Sequence, residues 1–255
     1  MFDSLKIAFS MYSAIPVPQA AWEEKPMRYA MCWFPLIGAV EGAVLYLAQF
    51  ALQRLGAGET VLAAAGTAVP LLVTGGIHLD GYLDTSDALH SWESAERKLE
   101  ILKDPHVGAF AVIRCVGYMV LYFGAMAAVM TAGQNAVFMM GGLYVLERAL
   151  SGSSVVLFPK AKKDGLAVTF SRSSADRAVA AASAFWAMAA VIWTVFWGGK
   201  TGAVLGAGCL LSYGLYYRTA MKWFHGMTGD LAGWFLQRCE LTGAWIIALA
   251  AMLKV

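Results

Sequence analysis

The sequence predicts an all-α protein, a polytopic integral membrane bundle of about seven transmembrane helices, and three observations carry that expectation. Of its 255 residues, 59% are hydrophobic and 14% charged, with a mean hydropathy of +0.60, too apolar to bury its surface as one soluble domain. The apolar residues gather in windows of about 17 to 25 residues, the length a bilayer crossing needs. Outside those windows Lys and Arg divide unequally between the two sides that the windows define.

The windows are 29–53, 60–77, 108–131, 136–158, 178–197, 201–217 and 231–253. The first opens on Tyr29 and Trp33, which fit an interfacial aromatic belt, and carries Gly38 and Gly42, a spacing that lets helices approach closely. The second runs up to Gly75 and Gly76, and the third starts at Gly108 just after Pro105. The fourth contains Glu147 and Arg148, and the fifth ends on Trp197. The sixth is the shortest, with Gly202 and Gly206 inside it and Tyr216 and Tyr217 at its end. The seventh follows Asp230.

Segments 1–28, 78–107, 159–177 and 218–230 then share one side and carry thirteen basic residues: Lys6, Lys25, Arg28, Arg97, Lys98, Lys103, Lys160, Lys162, Lys163, Arg172, Arg177, Arg218 and Lys222. The opposite side has three, Arg54, Lys200 and Lys254. The basic side is expected to be cytoplasmic, and the longer loops all fall there. No basic stretch followed by a small-residue cleavage site opens the chain, so no cleaved secretory peptide is expected. With short loops and no long-period repeat, residues 1–255 read as a single membrane-embedded domain. Cys32, Cys115, Cys209 and Cys239 stand singly, without the paired spacing of a zinc site or a disulfide framework, and read as packing residues. Lipid is the expected surroundings, and nothing points to nucleic acid.

The stretch with the most chemistry is 75–87, Gly-Gly-Ile-His-Leu-Asp-Gly-Tyr-Leu-Asp-Thr-Ser-Asp. At about 100° per residue, Asp80, Asp84 and Asp87 fall within roughly a 60° arc of one helix face. Bare anions gathered beside a low-dielectric core repel one another, so cations hold them or some become neutral. An oxygen-only donor set suits a hard divalent ion such as Mg2+, which takes one or two protein carboxylates and completes its shell with water and substrate phosphate. Phosphoryl-group chemistry follows naturally; a solvated acidic helix face is the plainer alternative.

Three more clusters lie on the basic side. Residues 100–108 re-enter the membrane through Pro105 and Gly108, and also read as an interfacial helix with a basic face. Residues 162–170, with Lys162, Lys163 and Gly165, would hold an anionic substrate or simply express the charge bias of the loops. In 225–230 the glycines permit close backbone approach and Asp230 would face the triad, unless it serves only as a helix cap. Within the windows Glu41, Arg114, Glu147, Arg148 and Glu240 are costly in hydrocarbon and are expected to face the bundle interior or a partner, while Arg238 reaches toward an interface. Arg148 would clamp phosphate through its planar fork, or form a structural pair with a Glu.

These residues resemble a known family. Residues 75–87 look like the GG-x-HLDG-x-x-D-x-x-D signature of cobalamin synthases, the adenosylcobinamide-GDP ribazoletransferases. Phe34 to Gly38 resembles their FPLVG, Leu99 to Asp104 with Gly108 their LEIMKDSRVG, Arg148 their SR pair, and Thr228-Gly229-Asp230 with Gly233 their TGDxLG. The blocks keep the family order from residue 34 to about 240. Glu147 departs from the usual Ser, His225 from Gly, Ala232 from Leu and Pro105-His106 from Ser-Arg, while Glu41 stands where an aliphatic residue is expected and takes no role from the resemblance.

The resemblance implies an Mg2+-dependent phosphotransferase, multi-pass in the cytoplasmic (inner) membrane of a bacterium or archaeon, its active site facing the cytoplasm. Such an enzyme joins adenosylcobinamide-GDP to alpha-ribazole or its 5'-phosphate and releases GMP, the last step of cobalamin nucleotide-loop assembly. His78, Asp80 and Asp84 become catalytic candidates, and Asp80, Asp84, Asp87 and Asp230 candidate metal ligands. Lys103, Asp104, Arg148, Lys163, Thr228 and Gly229 become candidate substrate contacts. A homo-oligomer, or association with other enzymes of cobalamin biosynthesis, stays open. Two other classes fit the residues less well. A CDP-alcohol phosphotransferase would need D-x-x-D-G-x-x-A-R, but Ile77 stands three before Asp80 and Asp84 follows Leu83. A cation-coupled transporter would place its acids near the membrane midplane rather than at one edge.

Overall fold

The computed structural model describes residues 2–18, 23–161 and 175–254. Eleven α-helices run through them: α1 Phe2–Tyr12, α2 Glu24–Met27, α3 Phe34–Arg54, α4 Glu59–Thr74, α5 Ile77–His90, α6 Ala95–Ile101, α7 Ala109–Thr131, α8 Gln134–Leu157, α9 Asp176–Gly198, α10 Lys200–Phe224 and α11 Gly229–Leu253. Among the described residues there is no strand, only an isolated bridge between Lys160 and Met227. The all-α class expected from the sequence is the class observed.

The expected seven crossings are not all matched. Four helical stretches are both long and apolar enough to cross a bilayer, Ala30–Arg54, Ala109–Thr131, Asp176–Gly198 and Gly229–Leu253, and a fifth arises if the bent pair α4 and α5 is one broken span. The window expected at 60–77 stops at Thr74, because Gly75 and Gly76 both take left-handed backbone (φ 66° and 78°). The chain turns there by 94°. At about 1.5 Å per residue, the 16 residues of α4 reach only about 24 Å, short of a hydrocarbon layer of about 30 Å. Helices α8 and α10 have the length, 24 and 25 residues, but not the hydropathy.

For α8 the reason is its position. It packs against α3 on one side and α9 on the other, with α11 also against it, and every residue from Gly142 to Gly152 is buried. A helix shielded by neighbours meets little lipid and has room for polar side chains. Helix α7 is the opposite case: Val112, Ile113, Val116 and Val120 are each more than half exposed. Large apolar side chains thus point outward while Glu41, Gln49, Glu147, Arg148 and Glu240 are all buried, the arrangement a hydrocarbon solvent selects.

One buried cation, Arg148, pairs with two of the buried carboxylates. The Arg148 guanidinium donates to Glu41 of α3 at 2.5 Å and to Glu147 at 3.0 Å, and to the Tyr144 carbonyl at 3.1 Å. Beside it the hydroxyls of Tyr122 and Tyr144 share a hydrogen bond at 3.0 Å. Cys209 and Cys239 are buried and Cys32 and Cys115 half-buried, all as free thiols. Replacing Arg148 by Met should cost about 3 to 5 kcal/mol of stability, since it strands buried carboxylates without their cation. The reading is a lowered thermal unfolding midpoint in detergent, and an unchanged midpoint would show the pair to be dispensable.

Candidate functional site

The acidic face is set on α5 by the bend that precedes it. Ending α4 in two left-handed glycines frees Ile77 to start a new helix almost at right angles, and the Asp80 N–H closes its first turn on the Gly76 carbonyl at 2.9 Å. Asp80 is exposed and Asp84 and Asp87 are half-buried, so the carboxylates line one accessible side of α5. A depression of about 390 Å3 bounded by Gly75, Gly76, Ile77, Leu79, Asp80 and Leu83 opens at the bend.

Two glycine contacts bring further groups to this face. Helices α5 and α11 cross where Gly81 meets Asp230 and Gly233 meets His78. A Cβ on Gly81 would stand 2.8 Å from the Asp230 carbonyl oxygen and 3.0 Å from its Cα, and a Cβ on Gly233 2.9 Å from the His78 carbonyl oxygen. The backbone of Asp230 is therefore carried to Gly81, next in the chain to Asp80. At the other end of α5 the Asp87 carboxylate lies directly against the Cα of Gly108, where any Cβ would overlap it. This seats the loop 102–108 and the start of α7 beside the acidic face.

That loop carries Lys103, Asp104 and His106, all exposed. Asp104 accepts the His106 backbone N–H at 3.0 Å and contacts its Nδ1 at 2.7 Å, and these bonds hold the Asp104 carboxyl below the usual carboxylate range. Behind it, the Lys98 ammonium donates to the Glu93 carbonyl at 2.8 Å and to Ser91 Oγ at 3.2 Å, fastening α6 to the end of α5. Lys98 was not singled out in the sequence, where one more lysine of a basic helix carries no distinguishing mark.

The sequence 225–230 is joined to the chain leaving α8. Met227 N–H donates to the Pro159 carbonyl at 2.8 Å and Ala161 N–H to the Met227 carbonyl at 3.1 Å. Residues 159–161 thus meet the 225–230 segment at the entrance to α11. Thr228 caps that helix: it is buried, accepts the Leu231 N–H at 3.2 Å and donates to Asp230 Oδ2 at 3.4 Å. The cap is therefore Thr228 rather than Asp230, and Thr228 acts through the helix it starts, whereas the neighbouring Gly229 is exposed. Lys163 lies outside the described residues.

Two expectations are corrected. His78 sits about 160° around α5 from Asp80, and its ring is 5% exposed, packed 6.2 Å from Tyr12 and 5.7 Å from Phe34 between ring centroids. Facing the aromatic core, it is withdrawn from the face where a proton would be taken. Arg148 is 1% exposed and its guanidinium serves Glu41 and Glu147, so the structural pair replaces the phosphate clamp. Glu41 is the residue that sequence reasoning left without a role; its signal was an acid in one span balanced by a base in another. Arg114 reaches His90 Nε2 at 2.8 Å, and Arg238 lies over the Trp234 ring at 4.9 Å.

The donor set of the acidic face fits a hard divalent cation. It is all carboxylate oxygen, and among the described residues the carboxylates of Asp80 and Asp87 make no hydrogen bond or ion pair. No three His, Cys, Asp or Glu side chains among the described residues form a complete metal-holding group. Magnesium does not require one, since it keeps several waters and shares its shell with substrate phosphate.

Fold and site together define a polytopic helical membrane protein with a carboxylate face gathered at one end of its bundle. The chain belongs to the cobalamin-5-phosphate synthase family, whose model matches residues 4–248. A protein of Lachnoclostridium phytofermentans named adenosylcobinamide-GDP ribazoletransferase is 46% identical over 248 residues, covering 97% of this chain and 94% of its own. Proteins of the same name from Clostridium perfringens and Pseudomonas entomophila are 31% and 32% identical, with 97% and 96% of this chain covered and 98% of theirs. No solved structure is detectably similar.

Gly108→Ala tests the second glycine contact. It should leave the helical fold intact, read by circular dichroism and thermal unfolding, while displacing Asp87 and lowering turnover by about 10²-fold, the cost of an ångström-scale misplacement. Undiminished turnover would show that Asp87 has no fixed place in the site.

Proposed function

We propose that the chain transfers the adenosylcobinamide-phosphate moiety of adenosylcobinamide-GDP to alpha-ribazole or its 5'-phosphate, releasing GMP, at a magnesium-dependent site on the cytoplasmic side of the membrane. One observation carries the reading: the carboxylates of Asp80, Asp84 and Asp87 share one face of α5, with Asp230 brought beside them at the Gly81 crossing. Carboxylates gathered in this way favour a divalent cation, and a pyrophosphate substrate brings the remaining oxygen ligands.

Asp80, Asp84, Asp87 and Asp230 would hold the ion. Magnesium bound there supplies charge neutralisation for the pyrophosphate and for the departing GMP. The remaining work belongs to the chain. Lys103, exposed on the loop beside Asp87, offers an ammonium to phosphate oxygens, and the α4–α5 bend leaves room next to Asp80 for the substrate. A ring hydroxyl of the ribazole ribose, free whether or not the 5'-position is phosphorylated, attacks the cobinamide-side phosphorus in line; its oxygen bonds to phosphorus as the bond to the GMP oxygen breaks. With His78 turned into the core, a carboxylate of the acidic face takes the hydroxyl proton. The excess of Lys and Arg in the loops around this end of the bundle supports the cytoplasmic side for the site.

Asp84→Asn tests the reading. The variant should insert and fold like the parent yet lose turnover by about 10²-fold or more, the scale of removing one electrostatic contributor from such a site. GMP release from adenosylcobinamide-GDP and alpha-ribazole phosphate, with and without Mg2+, is the assay. Full activity of Asp84→Asn, or turnover indifferent to chelation, would overturn the metal-site reading.

A further inference from the structure

Two arginines of the bundle serve neither the acidic face nor the buried framework. Arg114 of α7 and Arg238 of α11 are both exposed, and neither forms an ion pair with a carboxylate among the described residues. Both stand on helices long and apolar enough to cross a membrane. Helix α7 starts where Gly108 meets Asp87, and α11 starts at the Thr228 cap, so both begin at the acidic end of the bundle. At about 1.5 Å per residue, Arg114 sits about 8 Å and Arg238 about 14 Å along its helix, depths from which a long side chain reaches toward the headgroup layer.

Each guanidinium is held by a group that leaves its charge intact. His90 Nδ1 lies 2.6 Å from the Ser86 carbonyl, which only accepts, so that nitrogen carries the ring proton and Nε2 offers its lone pair to the Arg114 guanidinium at 2.8 Å. A neutral imidazole thus aims Arg114 without cancelling it. Arg238 lies over the Trp234 ring at 4.9 Å, a contact that orients a cation and supplies no counter-charge. Tyr82 of α5 relates the two: its hydroxyl is within electrostatic reach of both Arg238 and Arg114, and its ring packs 5.4 Å from that of Tyr118, one turn along α7 from Arg114.

The place and the surroundings identify the partner. Tyr82 lies about 160° around α5 from Asp80, so the guanidiniums gather on the side of α5 turned away from the acidic face. The neighbouring surface is that of a lipid-facing helix: Ile113 and Val116 beside Arg114 are each more than half exposed. Uncompensated cations at the edge of hydrocarbon are stabilised by an anion at the same depth, and the anion a bilayer supplies there is a phospholipid phosphate. Guanidinium forks match its oxygens.

We propose that Arg114 and Arg238 form a site for the phosphate of an anionic phospholipid, in the leaflet on the acidic side of the bundle, with the headgroup seated beside Tyr82. The lipid ties the start of α7 to α11 from outside, on the flank of α5 opposite the acids. The site is separate from the reaction proposed above and is read without turnover.

The full chain in non-ionic detergent, titrated with phosphatidylglycerol or with phosphatidylcholine and read by native mass spectrometry, gives the test. Phosphatidylglycerol should bind in preference to phosphatidylcholine. Arg114→Gln and Arg238→Gln should each weaken that binding about fivefold, the effect of about 1 kcal/mol per basic side chain at an anionic membrane surface. Arg54→Gln, at the opposite end of the bundle, should leave it unchanged. Arg114→Lys and Arg238→Lys keep the charge and should keep most of the binding; a loss equal to that in the Gln variants would mark a structural effect and overturn the site. Phosphatidylglycerol bound no better than phosphatidylcholine, or bound equally by the parent and both Gln variants, would also overturn it. Inorganic phosphate at millimolar concentration should not displace the lipid, and displacement would assign the arginines to a soluble phosphate instead.

Discussion

Helices α5 and α11 cross with no side chain between them, Gly81 against Asp230 and Gly233 against His78, and the site depends on that crossing. A methyl group on either glycine would force the backbones apart, and Asp230 would move away from the α5 carboxylates. The crossing also works in the other direction. By holding the His78 backbone against α11 it fixes the rotation of α5, which presses the His78 ring toward Tyr12 and Phe34 and leaves Asp80, Asp84 and Asp87 on the accessible side. One contact thus sorts a histidine into the core and three acids to the surface.

The rest of the bundle holds that crossing steady in a solvent that gives little help. In hydrocarbon, helices gain nothing from burying apolar side chains against one another, so close packing and internal polar pairs carry the association. Here the pairs are concentrated in α8, the most enclosed helix. Arg148 ties it to α3 through Glu41, and Gly38 lets the Tyr144 carbonyl come directly against α3. Polar residues of α8 therefore serve the framework, and those of α5 serve the site. The framework is tied by Arg148 to Glu41 and Glu147 within the chain, whereas the α5 acids stand at an accessible face.

Much of this was legible in the sequence, and what was not has a common cause. Apolar windows locate the helices because a bilayer imposes length and composition together, and the α5 acids could be placed on one face because periodicity is local. The end of α4 was missed because Gly75 and Gly76 read as part of a motif, with no sign of the left-handed backbone that bends the chain there. The surroundings of His78 and Arg148 are not legible locally because each is set by distant partners: Tyr12 and Phe34 for one, and Glu41, 107 residues away, for the other. The pairing of Asp87 with Gly108 and of Gly81 with Asp230 is likewise tertiary. Each glycine was visible as a motif letter, and only the fold shows what its missing side chain makes room for.

The central claim is that the α5 acids and Asp230 form one divalent-cation site, and binding of Mn2+ as a spectroscopic stand-in for Mg2+ tests it most directly. Electron paramagnetic resonance titration of the purified protein with adenosylcobinamide-GDP should show bound Mn2+ that Mg2+ displaces, weakened in both Asp84→Asn and Asp230→Asn although these residues lie on different helices. Equal Mn2+ binding by the parent and both variants would contradict the account.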